Sequence, residues 1–239
     1  MSVYACSDLH GMMVFYDAIK EYVNPEDTIY FLGDAGDRGP QSWETFDAII
    51  NDPQFIFIKG NHEDMLEKAL FCYLNFGDEE VVWSDDFNLL VQNGGAKTFL
   101  GARKSGRVGE LIRKLRDLPT LKVYTNKQGE EIYLSHAGFT PWEDENGELE
   151  VPSKTDLIWD RNHYLDRAQE FWHDNGIIVH GHTPIPYLLE ELEIPKEEYE
   201  GGALWYADGR KCDIDTGAVF TQQAVLIDLD TWEEFVFTT

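Results

Sequence analysis

Three apolar runs near the start of the chain are each followed by a polar loop and then by residues of helical periodicity. Val3–Cys6 leads into Ser-Asp-Leu-His-Gly, Thr28–Leu32 into Gly-Asp-Ala-Gly-Asp-Arg-Gly, and Phe55–Ile58 into Lys-Gly-Asn-His-Glu. Repeated strand–loop–helix units predict βαβ connections and a largely buried sheet. Because ligands bind at the carboxyl ends of the strands in such sheets, we expect the three polar loops to meet on one rim.

Later segments are also predicted to be strands. Two of them, Glu131–Ser135 and Gly176–His180, are apolar core strands that lead into histidine and glycine. The alternating segments Ala224–Leu229 and Glu234–Phe237 are predicted to belong to a second sheet. Between Phe55–Ile58 and Glu131–Ser135 the pattern is helical, which predicts a helical insertion around residues 76–118.

Composition limits the remaining possibilities. A length of 239 residues with 43% hydrophobic residues suits a single domain over residues 1–239. The formal charge of −26 disfavours nucleic acid and anionic membranes as partners. Three cysteines without CxxC spacing, and the lack of a run approaching the roughly 20 apolar residues of a membrane span, indicate a cytoplasmic protein.

The strand-end loops carry carboxylate, amide and imidazole side chains and no thiolate. The candidate metal ligands are Asp8, His10, Asp34, Asn61, His136 and His182. This ligand set suits divalent Mn, Fe or Zn. One ion cannot easily use all of these ligands, whereas two ions roughly 3.5 to 4 Å apart would form a clamp for displacement at phosphorus. The sequence therefore predicts two divalent metal ions.

Five motifs, in the same order along the chain, resemble those of the calcineurin-like metallophosphoesterases. Within that family they are similar to the phosphoprotein phosphatase (PPP) group, especially its bacterial and phage serine/threonine phosphatases. The resemblance implies an α/β fold, a four-layer αββα sandwich of two mixed β-sheets flanked by helices. The motifs are Ser7-Asp-Leu-His-Gly11, Gly33-Asp-Ala-Gly-Asp-Arg-Gly39, Gly60-Asn-His-Glu63, Ser135-His-Ala-Gly138 and His180-Gly-His-Thr183.

The same resemblance implies a role for each metal ligand. Asp8 and His10 would hold the first ion, and Asp34 would bridge both ions. A hydroxide bridging the ions would be the nucleophile, because two cations lower the pKa of the water between them. Manganese is the expected metal, with iron or zinc as alternatives. The second ion would be held by Asn61, His136 and His182.

The resemblance further implies an acid and a phosphate clamp. His62 would protonate the leaving alkoxide, and Asp37 would accept a hydrogen bond from its ring and favour the imidazolium form. Arg38 would grip the phosphate bidentately. Arg161, within Leu-Ile-Trp-Asp-Arg, would be a second phosphate-binding arginine, and Lys59 would supply a further positive charge.

Some positions depart from the family pattern or lie outside it. Gly36 replaces the bulkier apolar residue that is usual there, and we expect it to loosen the loop. His180 is expected to have a structural role or to support a ligand. His163 and His173 are predicted to lie on a helix, at the surface or in packing, and Asn93–Thr98 to shape the rim of the site.

The functional interpretation is a hydrolase of phosphate monoesters, with a serine/threonine phosphoprotein or a small phosphomonoester as substrate. One alternative is a dinucleoside polyphosphate hydrolase, because diadenosine tetraphosphatases use similar motifs. A second alternative is a metal-binding scaffold without turnover, although scaffolds are expected to lose His62, Asp37 or Arg38. A nuclease is disfavoured by the acidic composition. The sequence does not predict an oligomeric state.

Overall fold

The computed structural model describes residues 1–140, 142–143, 149–150, 152–164 and 176–239. The strands are β1 (Val3–Cys6), β2 (Thr28–Phe31), β3 (Phe55–Phe57), β4 (Leu121–Thr125), β5 (Glu131–Ser135), β6 (Trp142–Glu143), β7 (Leu149–Glu150), β8 (Gly176–His180), β9 (Leu204–Tyr206), β10 (Lys211–Asp213), β11 (Gln223–Asp228) and β12 (Glu234–Thr238). The helices are α1 (Met13–Tyr22), α2 (Ser42–Asn51), α3 (Asn61–Phe76), α4 (Asp78–Val81), α5 (Asp85–Gln92), α6 (Ala96–Lys104), α7 (Val108–Asp117), α8 (Asp156–Trp159), α9 (Ile185–Glu191) and α10 (Ala218–Thr221).

The first sheet contains the three strand–loop–helix units predicted from the sequence. Its strand order is β12-β11-β1-β2-β3, and β1, β2 and β3 run parallel. Cys6 lies opposite Phe31, and Phe31 lies opposite Phe57, so the three strands end at the same level. The loops that follow them therefore meet on one rim of the sheet, which confirms the prediction.

The second sheet has the strand order β4-β5-β8-β10-β9, with β5, β8 and β10 parallel. The assignment of Ala224–Leu229 and Glu234–Phe237 to this sheet was wrong. Strand β11 pairs antiparallel with β1, where Ala5 lies opposite Ile227, and β12 pairs with β11. These segments extend the first sheet because the chain returns to its own first strand, a long-range pairing that alternation alone does not specify.

The side chains of the strands of the first sheet point alternately into two apolar cores. Val3 and Ala5 pack with Ile132 and Leu134 of the second sheet, in the core between the sheets. Successive side chains of a strand point to opposite faces, and the intervening residues of β1 face a second core that includes residues of α1, α2, α3, α6 and α7. The fold is therefore the expected α/β sandwich, with two mixed five-stranded sheets flanked by helices.

The segment between β3 and β4 is helical, with helices α3 to α7. Helix α7 buries Val108, Leu111, Ile112 and Leu115, a spacing that places one apolar stripe against the core. Pro119 follows the end of this helix, where a proline cannot continue it. That the segment is an insertion into a single domain stays a prediction. Throughout the described ranges, none of the helices has the length and apolar character needed to cross a membrane.

His163 differs from its prediction, and His173 lies outside the described residues. His163 lies in a turn after α8 rather than on the predicted helix, and its complete burial agrees with packing, one of the two expected roles. Gly138 permits this burial, because a Cβ atom at that position would lie 2.7 Å from His163 Cε1. The ring packs against His180, with 4.8 Å between the ring centroids.

Candidate metal centre

Backbone hydrogen bonds join the loops after β1 and β2. The amides of Asp8, His10 and Gly11 donate to the carbonyls of Gly33, Asp34 and Ala35 at 3.1, 3.0 and 2.9 Å. The φ angles of Asp8, His10 and Asp34 are 52°, 41° and 61°. Non-glycine residues in such conformations cost on the order of 1–3 kcal/mol each and persist only where surrounding contacts hold them. The strained conformations and the hydrogen bonds bring the two loops together.

The third loop is tied to the second by Glu63. Its Oε2 accepts hydrogen bonds from the amides of Asp34 at 2.8 Å and Gly60 at 3.0 Å, and its Oε1 accepts one from Ala35 at 3.1 Å. A Cβ atom at Gly60 would overlap Asp34 Oδ1. Glu63 is the last residue of the Gly60–Glu63 motif, and no separate role was predicted for it. Its position three residues after Gly60, at the start of α3, is the glutamate position of a capping box and indicates its hydrogen bond to the Gly60 amide.

The second sheet contributes two histidines to the same rim. His136 follows β5, and its Nδ1 donates to the Leu32 carbonyl at 2.6 Å. His182 follows β8 with a φ angle of 71°, and its amide donates to Asp8 Oδ2 at 3.1 Å. Each histidine is thus fixed by a contact with the first sheet or its loops, so both sheets supply side chains to one site.

Four predicted ligands and the predicted acid His62 form two overlapping groups, whereas Asp8 lies beside them, with its Oδ1 3.8 Å from His10 Nε2. His10, Asp34 and His62 form one group, and Asp34, His136 and His182 form the other, with all ligand atoms of a group within 4.8 Å of one another. Asn61 Oδ1 lies 2.9 Å from His136 Nε2 and 3.1 Å from His182 Nδ1. Asp34 belongs to both groups, the position expected of a ligand that bridges two ions. The assignment of each ligand to an ion stays a prediction.

The hydrogen-bonding pattern fits divalent cations. Because His136 Nδ1 donates to a carbonyl, its Nε2 carries a lone pair that faces the Asn61 carbonyl oxygen. His10 has the same tautomer, since its Nδ1 donates to the Gly36 carbonyl at 3.0 Å, but its Nε2 accepts from Arg38 at 2.8 Å. Asp8 Oδ1 is buried and has no hydrogen-bond partner in the described structure. Acceptors that face one another without a donor are the arrangement that a bound cation satisfies.

The protonation equilibria point the same way. Burial raises the pKa of Asp8, and burial together with nearby Asp8 and Glu63 raises the pKa of Asp34 well above its usual range. Burial also lowers the pKa of His10 and of His136. The imidazoles are therefore neutral, which is the state that binds a metal, and a bound cation would offset the mutual repulsion of the carboxylates.

His62 lies between Asp37 and Arg38. Its Nδ1 donates to Asp37 Oδ2 at 2.6 Å, and Arg38 Nη2 donates to its Nε2 at 2.9 Å. Arg38 Nη1 also donates to His10 Nε2 at 2.8 Å. Burial and the Arg38 guanidinium lower the pKa of His62 well below 6.5, so this arrangement favours the neutral ring rather than the expected imidazolium. The expected contact with Asp37 is present.

Gly36 admits a neighbouring side chain instead of loosening its loop. A Cβ atom at Gly36 would lie 2.9 Å from Thr98 Oγ1. The Thr98 hydroxyl donates to Asp37 Oδ1 and accepts from the Asp37 amide at 3.0 Å. Burial raises the pKa of Asp37 to about 7, against the lowering effect of this hydroxyl and of Arg38. The contact of Thr98 with Asp37 was not predicted, because the two residues are 61 positions apart in the sequence.

The remaining candidates have different surroundings. Arg161 Nε donates to His182 Nε2 at 3.1 Å, so this arginine lies at the site. Lys59 Nζ pairs instead with Glu67 at 2.6 Å and Asp64 at 3.4 Å, and its role in substrate binding stays a prediction. His180 is buried below the rim, where the Tyr206 hydroxyl lies 2.7 Å from its Nε2. That contact suits the structural role expected for His180.

Comparison with known proteins gives a consistent result. A family model described as calcineurin-like phosphoesterase matches residues 1–213. A protein provisionally assigned as a diadenosine tetraphosphatase aligns with a TM-score of 0.61 at 13% identity, over 98% of this chain and 92% of that one.

Two further structures align with similar scores. A serine/threonine phosphatase from Saccharomyces cerevisiae with similarity to human PP5 gives a TM-score of 0.57 at 15% identity, over 100% of this chain and 80% of that one. A metallophosphoesterase from Sphaerobacter thermophilus gives 0.56 at 17% identity, over 99% and 86% of the two chains. At these identities the structural alignments establish a shared fold.

Proposed function

The chain belongs to the calcineurin-like phosphoesterase family, and we propose that it is a metal-dependent phosphatase that hydrolyses phosphate monoesters, with phosphoserine and phosphothreonine in proteins as its substrate class. One observation carries the proposal. Two groups of donor atoms that share Asp34 lie beside Arg38 and the His62–Asp37 pair. A metal clamp, a phosphate-binding guanidinium and an acid are the components that phosphoryl transfer to water requires.

The donor set supports two ions. Asp8 and His10 would hold one ion, and Asp34 would contact both. When bound, two divalent cations polarise phosphoryl oxygens and lower the pKa of water. Manganese is our proposed metal, with iron or zinc as alternatives, because the set combines carboxylate, amide and imidazole donors. The other ion would be held by Asn61, His136 and His182.

The two arginines supply local positive charge in a strongly acidic chain. Arg38 contacts the imidazoles of His10 and His62, and Arg161 contacts His182. Both guanidinium groups can turn from a neutral ring nitrogen to a phosphate dianion, which is a stronger hydrogen-bond acceptor. Arg38 and Arg161 would therefore orient the phosphoryl group over the donor cluster.

Substrate binding would also prepare the acid. In the structure Arg38 donates to His62 Nε2, which leaves that nitrogen no room for a proton. When Arg38 turns to a bound phosphate, Nε2 becomes free, and the negative charge of the phosphate raises the pKa of the ring. Asp37, which accepts the Nδ1 proton, stabilises the resulting imidazolium. The proton on Nε2 would then pass to the leaving alkoxide.

Two alternatives use the same residues differently. A dinucleoside polyphosphate hydrolase would need the same donors and arginines, and the alignment over 92% of the provisional diadenosine tetraphosphatase favours keeping this candidate. A scaffold without turnover would not need the His62–Asp37 pair. The 2.6 Å hydrogen bond in that pair, with Arg38 adjacent to it, favours an enzyme over a scaffold.

The test combines metal analysis with a substrate panel. The full chain would be loaded separately with manganese, iron and zinc, and its metal content would be measured beside its turnover of phosphoserine, phosphothreonine and phosphotyrosine peptides, diadenosine tetraphosphate and a phosphate diester. We expect about two ions per chain and fastest turnover of phosphoserine or phosphothreonine. Much faster cleavage of diadenosine tetraphosphate would replace this assignment with the first alternative, and full metal loading without turnover would replace it with the scaffold.

A further inference from the structure

The helical segment between β3 and β4 contacts the loop that carries Asp37 and Arg38 through Gly94–Thr98. The Arg38 amide donates to the Gly94 carbonyl at 3.2 Å. Gly94 has a φ angle of 90°, and a Cβ atom there would lie 3.1 Å from Arg38 Cγ. A Cβ atom at Gly95 would lie 2.9 Å from Asp37 Oδ2. The two glycines thus let this segment pack directly against the loop that carries Asp37 and Arg38.

Within this segment, Thr98 is hydrogen-bonded to the Asp37 carboxylate. The Thr98 hydroxyl donates to Oδ1 of Asp37, and the other oxygen, Oδ2, accepts the His62 Nδ1 proton at 2.6 Å. The Asp37 amide donates back to Thr98 Oγ1 at 3.0 Å. Thr98 is 1% exposed and Asp37 is 2% exposed, so water does not compete freely for these bonds. Both carboxylate oxygens therefore have fixed partners.

We propose that Thr98 is a positioning residue for His62 and acts through Asp37. Its hydroxyl holds the carboxylate in the plane that meets His62 Nδ1–H, and this hydrogen bond keeps Nε2 as the nitrogen that faces the substrate. The inference rests on the proposed function of His62 as the acid. It gives the helical segment a part in the reaction site, because α6 carries Thr98.

Two features of the packing support this role. The absence of a side chain at Gly36 is what lets the Thr98 hydroxyl approach, since an added Cβ atom would lie 2.9 Å from Oγ1 and 3.1 Å from Cγ2. Asp37 also lies beside Gly95, the residue that precedes the first turn of α6. The positive end of the helix dipole there favours a negatively charged carboxylate. The loop and the helix are thus shaped around this contact.

The test compares Thr98→Val with Thr98→Ser in the manganese-loaded full chain. Valine keeps the shape of threonine and removes the hydroxyl, whereas serine keeps the hydroxyl. The matched control is Thr45→Val, because Thr45 is equally buried on α2 and its hydroxyl donates to the backbone carbonyl of Gln41, the residue before that helix, at 2.9 Å. The kcat and KM values would be measured on phenyl phosphate, whose leaving group needs a proton, and on p-nitrophenyl phosphate, whose leaving group does not.

We expect Thr98→Val to lower kcat on phenyl phosphate about 10-fold or more and on p-nitrophenyl phosphate about threefold at most, with KM little changed. Thr98→Ser should keep kcat near the wild-type value on both substrates. Thr45→Val should show no difference in kcat between the substrates. In an Asp37→Asn background, Thr98→Val should add little, because both changes act on one hydrogen-bonded unit. An equal loss on both substrates, or no loss on either, would overturn the positioning role.

A second measurement does not depend on turnover. In the zinc-loaded protein labelled with ¹⁵N-histidine, the His62 Nδ1–H signal, assigned by its loss in His62→Gln, should be shifted or broadened in Thr98→Val and retained in Thr98→Ser and Thr45→Val. An unchanged signal in Thr98→Val would overturn the proposal. A wild-type protein inactive on both esters would refute the proposed function alone, because the NMR comparison would still decide whether Thr98 positions His62.

Discussion

Two sets of buried histidines lie near each other and have different surroundings. The first set faces the rim where the strand-end loops meet and comprises His10, His62, His136 and His182. The second set, His163 and His180, is packed together below it. Burial lowers the pKa of every one of these imidazoles. A buried, neutral histidine is therefore common to both sets and does not by itself identify a metal ligand.

The partners of the ring nitrogens distinguish His136 of the first set from His180 of the second. His180 Nδ1 donates to the Gly181 carbonyl at 3.0 Å, and its Nε2 can accept from the Tyr206 hydroxyl at 2.7 Å, so both nitrogens are satisfied. In the first set, His136 Nε2 faces the side-chain amide oxygen of Asn61, Oδ1, which is another acceptor. A ring nitrogen whose lone pair faces another acceptor indicates a metal ligand. The Nε2 atoms of His10 and His62 instead accept from Arg38, so metal binding by His10 depends on Arg38 turning away.

The largest effect is expected from Asp34→Ala. This change removes the carboxylate common to both donor groups, so metal content should fall from about two ions per chain to near zero, and turnover should be lost with it. Metal analysis after desalting would measure the loss. Asp27→Ala is the control, because Asp27 is a buried acid that accepts hydrogen bonds from the amides of Ser2 and Asn24 away from the rim. Unchanged metal content in Asp34→Ala would contradict the bridging assignment.

His62→Ala should divide the first set of histidines by role. If His62 is the acid, the variant keeps both ions and loses about 100-fold or more in turnover of a phosphoserine peptide. The measurement pairs metal content with kcat on that peptide. Loss of one ion would instead make His62 a ligand, as its grouping with His10 and Asp34 allows. His62→Ala would then resemble His10→Ala in metal content, which provides the matched comparison.

The parts of the fold that were predictable depend on local pattern. The strand Val3–Cys6 has the predicted bounds, and the three loops meet on one rim because parallel strands end together. Alternation in Ala224–Leu229 identified a strand but not its sheet. Its pairing with β1 depends on residues more than 200 positions away, and either sheet offers an apolar face to such a strand.

The same limit applies to the site. Asp8, His10 and Asp34 could be named because each follows a strand directly, and the strand fixes where the loop lies. The roles of Thr98 and His163 could not be predicted, because they arise from packing between distant segments. Thr98 is 61 residues from Asp37 in the sequence, and His163 packs against His180. Sequence pattern thus identifies residues that a strand presents, whereas residues that support them are found by contact.

Tyr206→Phe should affect stability without affecting the metal centre. The change removes the hydroxyl that lies 2.7 Å from His180 Nε2 and leaves a buried nitrogen unpaired. We expect a loss of about 1–2 kcal/mol in the free energy of unfolding, measured by urea denaturation of the metal-loaded protein. Metal content should stay at the wild-type value. Loss of an ion would show that His180 supports the first set more directly than its two satisfied hydrogen bonds indicate.

The smallest effect is expected in the pH dependence of stability. Burial lowers the pKa of His163 well below 6.5, and the nearby His180 and Lys211 disfavour its protonation further. As the pH falls below 6.5, the unfolded chain therefore takes up a proton that the folded protein excludes, and stability is lost. Between pH 7.5 and 5.5, wild type should lose about 1 kcal/mol more than His163→Leu, at up to about 1.4 kcal/mol per pH unit.

Urea denaturation of both proteins in a chelator would measure this difference, because removing metal ions excludes the pH dependence of metal affinity. The contributions of the other histidines cancel in the comparison of wild type with His163→Leu. Equal losses in the two proteins would mean that His163 titrates alike in the folded and unfolded chain, and would contradict its enclosure. A greater loss in wild type would show that protonation of His163 opposes folding, since its surroundings offer it a tyrosine hydroxyl and Lys211 rather than the carboxylates found at the rim.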